Sequence, residues 1–287
     1  MKTVLITGAN GQLGQALKQI AGNYPAFSFI YTDYTDLDIT SEEAVSAFFS
    51  AQEIHACINC AAYTAVDKAE ADEEKAFILN FEATLHLANA CLAHNARFIQ
   101  ISTDYVFDGK KNTPYTEEDD AEPESIYGSS KLRGEAAAQG INPDTIVIRT
   151  AWLYSQYGVN FVKRMRELMQ EKDSLNVVFD QAGTPTYAVD LAQVILSVLS
   201  KAIDAPGTLG GVYHYSNEGV TSWYDFAIAI RDLSKLSCHV LPITSDKYPT
   251  PAKRPAYSVF NKQKIKDTFG IEIPYWKDSL QVCLTHL

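Results

Sequence analysis

Short apolar runs alternate with stretches of helical period along the first half of the chain. Lys2–Thr7 is a continuous run that predicts a buried strand, and Leu13, Ala16, Leu17 and Ile20 then share one helical face over Gln12–Ile20. A second strand over 27–32 ends at Asp33. Ser41 predicts the N-cap of a helix carrying Val45, Phe48 and Phe49, with Glu42 and Glu43 suited to its N-terminal dipole. A strand over 56–59, a long helix from about 72 to 94, a strand over 98–102, a helix over 128–139 and a strand over 146–149 follow. Strands alternating with helices imply a Rossmann-type α/β fold with a parallel, doubly wound sheet.

Beyond residue 150 the pattern loosens. Helical periods cover 160–172 and 190–203, the second with Asp190 as its expected N-cap, and 177–179 reads as one more strand of the main sheet. Ala205-Pro206-Gly207 and Gly210-Gly211 punctuate before an apolar run at 212–215. A helix over 222–234 and a proline-rich stretch over 242–255 complete the chain. The expected division is a dinucleotide-binding domain over 1–150, with returning segments around 175–203. A smaller α/β substrate lobe then covers 204–287, with contributions from 151–172.

A net charge of −11 and a pI near 5.0 argue against nucleic acid or an anionic membrane as partner. No apolar run reaches the ~20 residues of a membrane span, and the N-terminus enters a strand without a signal-peptide pattern, so the expected compartment is the cytoplasm. The five cysteines are odd in number and scattered. Cys57 and Cys60 have a redox or zinc half-spacing, but they lie in an apolar strand and no second pair exists at metal spacing. No catalytic metal is expected.

The chemistry sits at the strand ends. Gly8, Gly11 and Gly14 fall between the first strand and its helix, where glycines permit a tight turn and let a pyrophosphate approach backbone N–H groups. Asp33 is placed to bond the hydroxyls of an adenosine ribose. Thr103 and Asp104 put a hydroxyl and a carboxylate at a strand's carboxyl end. Tyr127 and Lys131, four apart on a helix, share a face, and a cation beside a phenol lowers its pKa and suits it to proton transfer. With 16 tyrosines in the chain that spacing alone says little. Its context gives it weight.

Thr103, Tyr127 and Lys131 resemble the hydroxyl–Tyr–Lys triad of extended short-chain dehydrogenases/reductases, and Asn80 matches the asparagine that often completes it, or else holds its helix backbone. The likeness extends further. Gly8-Ala9-Asn10-Gly11-Gln12-Leu13-Gly14, Cys60-Ala61-Ala62-Tyr63-Thr64-Ala65-Val66-Asp67, Ser102-Thr103-Asp104-Tyr105-Val106-Phe107-Asp108-Gly109, Arg149-Thr150-Ala151-Trp152-Leu153-Tyr154, Asp180-Gln181-Ala182-Gly183-Thr184-Pro185 and Tyr248-Pro249-Thr250-Pro251-Ala252-Lys253-Arg254-Pro255 form a series similar to the dTDP-4-dehydrorhamnose reductase family. The resemblance implies reduction of the 4-keto group of dTDP-4-dehydro-L-rhamnose to dTDP-L-rhamnose with NADP(H) or NAD(H), the last step of that pathway. It implies cofactor contacts at Gly11, Gln12, Leu13, Asp38, Ile39, Ala62, Tyr63 and Thr64, and substrate contacts at Thr103, Asp104 and Trp152. Trp152 could equally be a core residue. Arg254, with Lys253, faces either the nucleotide's diphosphate or solvent.

Some members of the family pair through a metal held by glutamates, but the matching stretches here read Gln15-Ala16-Leu17 and Tyr187-Ala188-Val189. A monomer or weak homodimer without a bridging metal is expected. Two other readings compete. Nucleotide-sugar dehydratases and epimerases share the triad, but dehydratases carry a glutamate where this chain has Tyr105. Eukaryotic relatives bind NADP as regulatory subunits with little or no turnover, a reading that an intact triad disfavours.

Overall fold

A computed structural model describes residues 1–205 and 209–287, so Pro206 and Gly207 of the expected break lie outside the described residues. Five strands, β1 (Lys2–Thr7), β2 (Phe27–Tyr31), β3 (Ala56–Asn59), β4 (Arg97–Thr103) and β5 (Ile146–Thr150), join an edge strand, Gly211–His214, in one six-stranded sheet. The order is edge–β5–β4–β3–β1–β2, and every pairing is parallel. The chain leaves β1 in one direction to form β2 and returns on the other side to form β3. That reversal is the topological switch point beside which such sheets bind ligands.

Both faces are covered. Helix α1 (Gln12–Ile20) and helix Ala188–Ala202 bury Leu13, Leu17, Leu191, Ile195 and Leu199 against Val4, Ile6, Ile99 and Ile148. On the opposite face α2 (Glu42–Ala51) and helix Ala83–Ala93 pack Val45, Phe49, Leu87 and Cys91 against Leu5, Cys57 and Phe98. Ser41 caps α2 as expected, its hydroxyl accepting the Ala44 N–H at 3.2 Å. The helical stretch Glu73–Ala93, of mean hydropathy 1.2, is long and apolar enough to cross a bilayer by length and composition, which differs from the sequence reading. In the fold it is a layer helix, with Ala83, Leu87, Ala88 and Cys91 in the core beneath the sheet.

Three expectations differ from the fold. The strand expected at 177–179 is Ser174–Val178, and it pairs with His239–Ile243 in a separate two-stranded sheet. Central parallel strands are buried throughout, whereas this one buries only Val177. The apolar run at 212–215, grouped by position with the lobe, supplies the main sheet's edge strand beside β5. Asp190 is not an N-cap: the helix starts at Ala188, and the Asp190 carboxylate instead accepts from Asn217 Nδ2 at 2.7 Å and Ser279 Oγ at 2.5 Å.

The remaining chain forms a second core beyond the carboxyl edge. Helices Phe161–Glu171, Trp223–Leu233 and Trp276–Leu284 bury Val162, Phe226, Ile230 and Leu280 around Tyr154 and Tyr187. Segments 151–154, 182–187 and 250–260 run between this core and the sheet, so the strand ends open into a cleft with walls from both units.

Candidate active site

The glycine turn follows β1 directly. Gly8 has φ +63°, and a side chain there would lie 2.6 Å from the Ala61 nitrogen; one at Gly14 would lie 2.5 Å from Ala9 Cα. Only hydrogen fits at either place, and the space left open above the α1 N-terminus suits an anion facing free N–H groups. Asp33 closes one side: its Oδ2 accepts the Asn10 N–H at 2.9 Å and its Oδ1 the Tyr34 N–H at 2.8 Å. Gln12 closes another, its Oε1 accepting from Ser155 Oγ and Asn160 Nδ2, both at 2.9 Å. These two residues come from beyond β5, and nothing in their spacing marks them.

The rest of the expected cofactor set has mixed placements. Leu13 and Ile39 are core residues. The Asp38 carboxylate closes its own turn, accepting from Thr40 N at 3.0 Å and Thr40 Oγ1 at 2.6 Å. Ala62, Tyr63 and Thr64 form the loop after β3, and Asn80 holds that loop. Its Oδ1 accepts the Tyr63 N–H at 2.8 Å, while its Nδ2 donates to the Tyr63 carbonyl at 3.2 Å and to Ser130 Oγ at 2.9 Å. Asn80 sits in a π-helical turn, Ile78–Glu82, that interrupts the long helix and turns its amide toward the loop. Such turns recur at functional sites. Asn80 therefore ties the loop to the catalytic helix by geometry, and both of its sequence readings apply.

That helix, Ile126–Ile141, starts earlier than its period suggests because Ser125 caps it, accepting the Gly128 N–H at 3.1 Å. Glu70 Oε1 takes the Ile126 N–H at 2.9 Å, a second cap that local sequence does not reveal. Tyr127 stands half-buried in the first turn, its ring edge-on to Tyr105 at 5.5 Å. Burial pushes the Tyr127 phenol up to about 12; the Thr103 hydroxyl pulls it down, and the Asp104 carboxyl pushes it further up. Lys131 does not act as the sequence suggests. Its buried ammonium donates to the Ile101 carbonyl at 2.6 Å, and it is not among the groups that shift Tyr127. Burial draws Lys131 down to about 8.

Thr103 and Asp104 end β4, both buried. Thr103 Oγ1 donates to Asp104 Oδ1 at 3.1 Å and accepts the Tyr105 N–H at 3.2 Å. Asp104 Oδ2 has no partner, an orphaned oxygen that a ligand hydroxyl would satisfy. Burial raises the Asp104 carboxyl to about 6, against the hydroxyls of Ser258 and Thr103. Ser258 comes from the C-terminal segment and was not legible as a site residue.

Trp152 follows β5 with φ +47°, a strained conformation for a bulky residue. Its indole stacks on Trp223 with ring centres 3.5 Å apart and packs on Gly183, where a side chain would lie 2.6 Å from the ring. Trp152 is thus partly a packing residue, and Trp223 is its unforeseen partner. Arg254 neither faces open solvent nor stands free. Its guanidinium makes a bidentate pair with Asp67 at 3.0 and 2.9 Å, while Lys253 pairs with Glu124 at 2.6 Å. Among the described residues no group of three or more His, Cys, Asp or Glu could hold a metal ion.

A parallel sheet with a glycine turn at its switch point and a Thr–Tyr–Lys set at its carboxyl edge defines an extended short-chain dehydrogenase/reductase fold. The chain belongs to the dTDP-4-dehydrorhamnose reductase family: the family model described as the RmlD substrate binding domain matches residues 1–287. It is 40% identical to a dTDP-4-dehydrorhamnose reductase of Aggregatibacter actinomycetemcomitans over 98% of each chain. A solved dTDP-4-dehydrorhamnose reductase of Clostridium acetobutylicum is 44% identical, with a TM-score of 0.93 over 99% of this chain and 98% of that one. Another, from Bacillus anthracis in complex with NADP, is 35% identical with a TM-score of 0.95 over the whole of both chains.

Proposed function

We propose that this protein reduces the 4-keto group of dTDP-4-dehydro-L-rhamnose to dTDP-L-rhamnose, using NADP(H) or NAD(H). The observation that carries the reading is the convergence of Thr103, Asp104 and Tyr127 at the carboxyl end of β4, with Lys131 buried one turn beyond. The pocket left above Gly8 and Gly14 fits a dinucleotide's pyrophosphate, and Asp33 beside it fits the adenosine ribose. The bound cofactor supplies the hydride that reaches C4 of the sugar.

Tyr127 donates the proton to the resulting alkoxide. A phenol held near 12 stays protonated throughout the neutral range, the state a proton donor needs. Thr103 hydrogen-bonds the carbonyl oxygen, and the Asp104 Oδ2 accepts from a sugar hydroxyl. Lys131, swinging from the Ile101 carbonyl, holds the nicotinamide ribose and stabilises the phenolate once the proton has left. Trp152 offers a flat apolar wall to the C–H face of the 6-deoxy sugar. Gly11, Gln12, Leu13, Ala62, Tyr63 and Thr64 line the cofactor, with Asp38 and Ile39 toward the adenine.

Residues 1–150 with the returning helix form the cofactor unit and the lobe binds the sugar nucleotide, the edge strand excepted. The protein works in the cytoplasm as a monomer or weak homodimer without a bridging metal. Tyr105 in place of a glutamate speaks against elimination of water; its ring packs on Tyr127 and offers no carboxylate. An NADPH-oxidation assay with dTDP-4-dehydrorhamnose tests the reading. Oxidation stoichiometric with dTDP-L-rhamnose is expected, and NADPH binding without oxidation would leave the regulatory reading in its place.

A further inference from the structure

Lys131 is buried with no carboxylate in contact among the described residues; the Ile101 carbonyl is its hydrogen-bond partner. A buried charge with one neutral partner is costly and tends to shed its proton. Glu135 stands one turn further along the helix. Residues four apart share a face, so Tyr127, Lys131 and Glu135 form one stripe. Glu135 is itself 3% exposed and is fixed from β5 by Arg149, with Nε–Oε1 at 3.0 Å, Nε–Oε2 at 3.1 Å and Nη2–Oε2 at 2.7 Å. Arg149 is in turn set over the Phe107 ring at 5.1 Å, and its strand pairs Arg149 with Ser102, next to Ile101. We propose that Glu135, clamped by Arg149, is a positioning residue that keeps the Lys131 ammonium charged above neutral pH and so preserves its hold on the cofactor ribose.

The groups around Lys131 leave this task to Glu135. Tyr127 and Glu135 face it from its own helix, the Cys60 thiol from the end of β3, and the Ile101 carbonyl from β4. Asn80 and Ser130 beside it are neutral. Glu135 is the larger of the two upward influences on Lys131 and Cys60 the smaller. Burial pushes the Cys60 thiol up, so it carries no charge near neutrality. Behind the pair, His214 lies 3.5 Å from Arg149 Nη1 and is drawn down to about 3, so it adds no competing cation. Glu117, whose carboxylate accepts the His214 N–H, is the other acid on that side.

The ribose contact rests on the reading above, so the test reads binding as well as turnover. NADPH dissociation constants are measured by fluorescence across a pH series for the wild type, Glu135→Gln and the double variant Glu135→Gln/Arg149→Met. Wild-type affinity is expected to weaken through a midpoint near 8. In Glu135→Gln the midpoint falls by about one pH unit, making binding roughly tenfold more pH-sensitive there, with affinity at the acid end preserved. A purely structural role would weaken binding equally at every pH. If the single variant fails to fold because Arg149 loses its partner, the double variant carries the same expected shift. An unshifted midpoint in a folded variant, or wild-type binding that is flat through pH 8, overturns the proposal. Wild-type binding with the midpoint but without NADPH oxidation would instead overturn the reductase reading and leave this one standing.

Discussion

Replacing Asp104 by asparagine should change the pH dependence of stability in a calculable way. Asp104 is 3% exposed; Thr103 donates to one oxygen at 3.1 Å, and the other has no partner. Burial dominates and raises the carboxyl from 3.8 to about 6. At about 1.4 kcal/mol per unit, that shift makes the ionised side chain cost roughly 3 kcal/mol of folding free energy. The sign follows from which form is disfavoured. Below the unfolded value both states hold the proton and the cost is absent. It grows as pH rises between 3.8 and about 6 and is complete at neutrality. Asparagine cannot ionise, so Asp104→Asn lacks this loss. Whatever constant offset the new amide brings, the stability of Asp104→Asn relative to wild type should rise by roughly 3 kcal/mol from acid to neutral pH. Denaturant melts of both proteins at several pH values measure it. A difference that stays constant, or shrinks toward neutral pH, would refute the assignment of Asp104 as a destabilised buried carboxylate kept for ligand recognition.

Tyr127→Phe should lower kcat by ~10²–10⁴ with NADPH affinity little changed; turnover like that of the wild type would remove Tyr127 as proton donor. The kcat/KM values for NADH and NADPH should differ by less than about tenfold. Asp33 favours a free 2′-hydroxyl, but its carboxylate is already bonded to Asn10 and Tyr34, and the neighbouring Tyr34 is exposed. A thousand-fold ratio would show that this strand end is misread. Trp152→Ala should raise KM for the sugar nucleotide and cost about 1–3 kcal/mol of stability through the lost stack on Trp223. Lost stability with an unchanged KM would return Trp152 to the core.

The sheet was legible because its strands are short apolar runs with glycine, serine or aspartate at their ends. Lys2–Thr7, Ala56–Asn59 and the Ser41 cap fall where the pattern puts them. The strand over 174–178 misled because Val177 and Val178 look like a buried run, while its exposure alternates as an edge pair's does. The π turn around Asn80 follows from contacts with Tyr63 and Ser130, far along the chain, and has no local signature. Thr103, Tyr127 and Lys131 were readable as a set. The relation between the last two was not, since it depends on the Ile101 carbonyl competing for the ammonium. Ser258, Trp223 and Glu70 reach the cleft from distant segments and carry no spacing that could announce them.

The most direct measurement follows a label. NADPH deuterated at C4 of the nicotinamide, incubated with dTDP-4-dehydrorhamnose and the wild-type protein, should deliver one deuterium per turnover to C4 of the sugar, read by mass and NMR of the dTDP-L-rhamnose formed. Deuterium that stays on the cofactor, or that appears elsewhere on the sugar, would contradict the account.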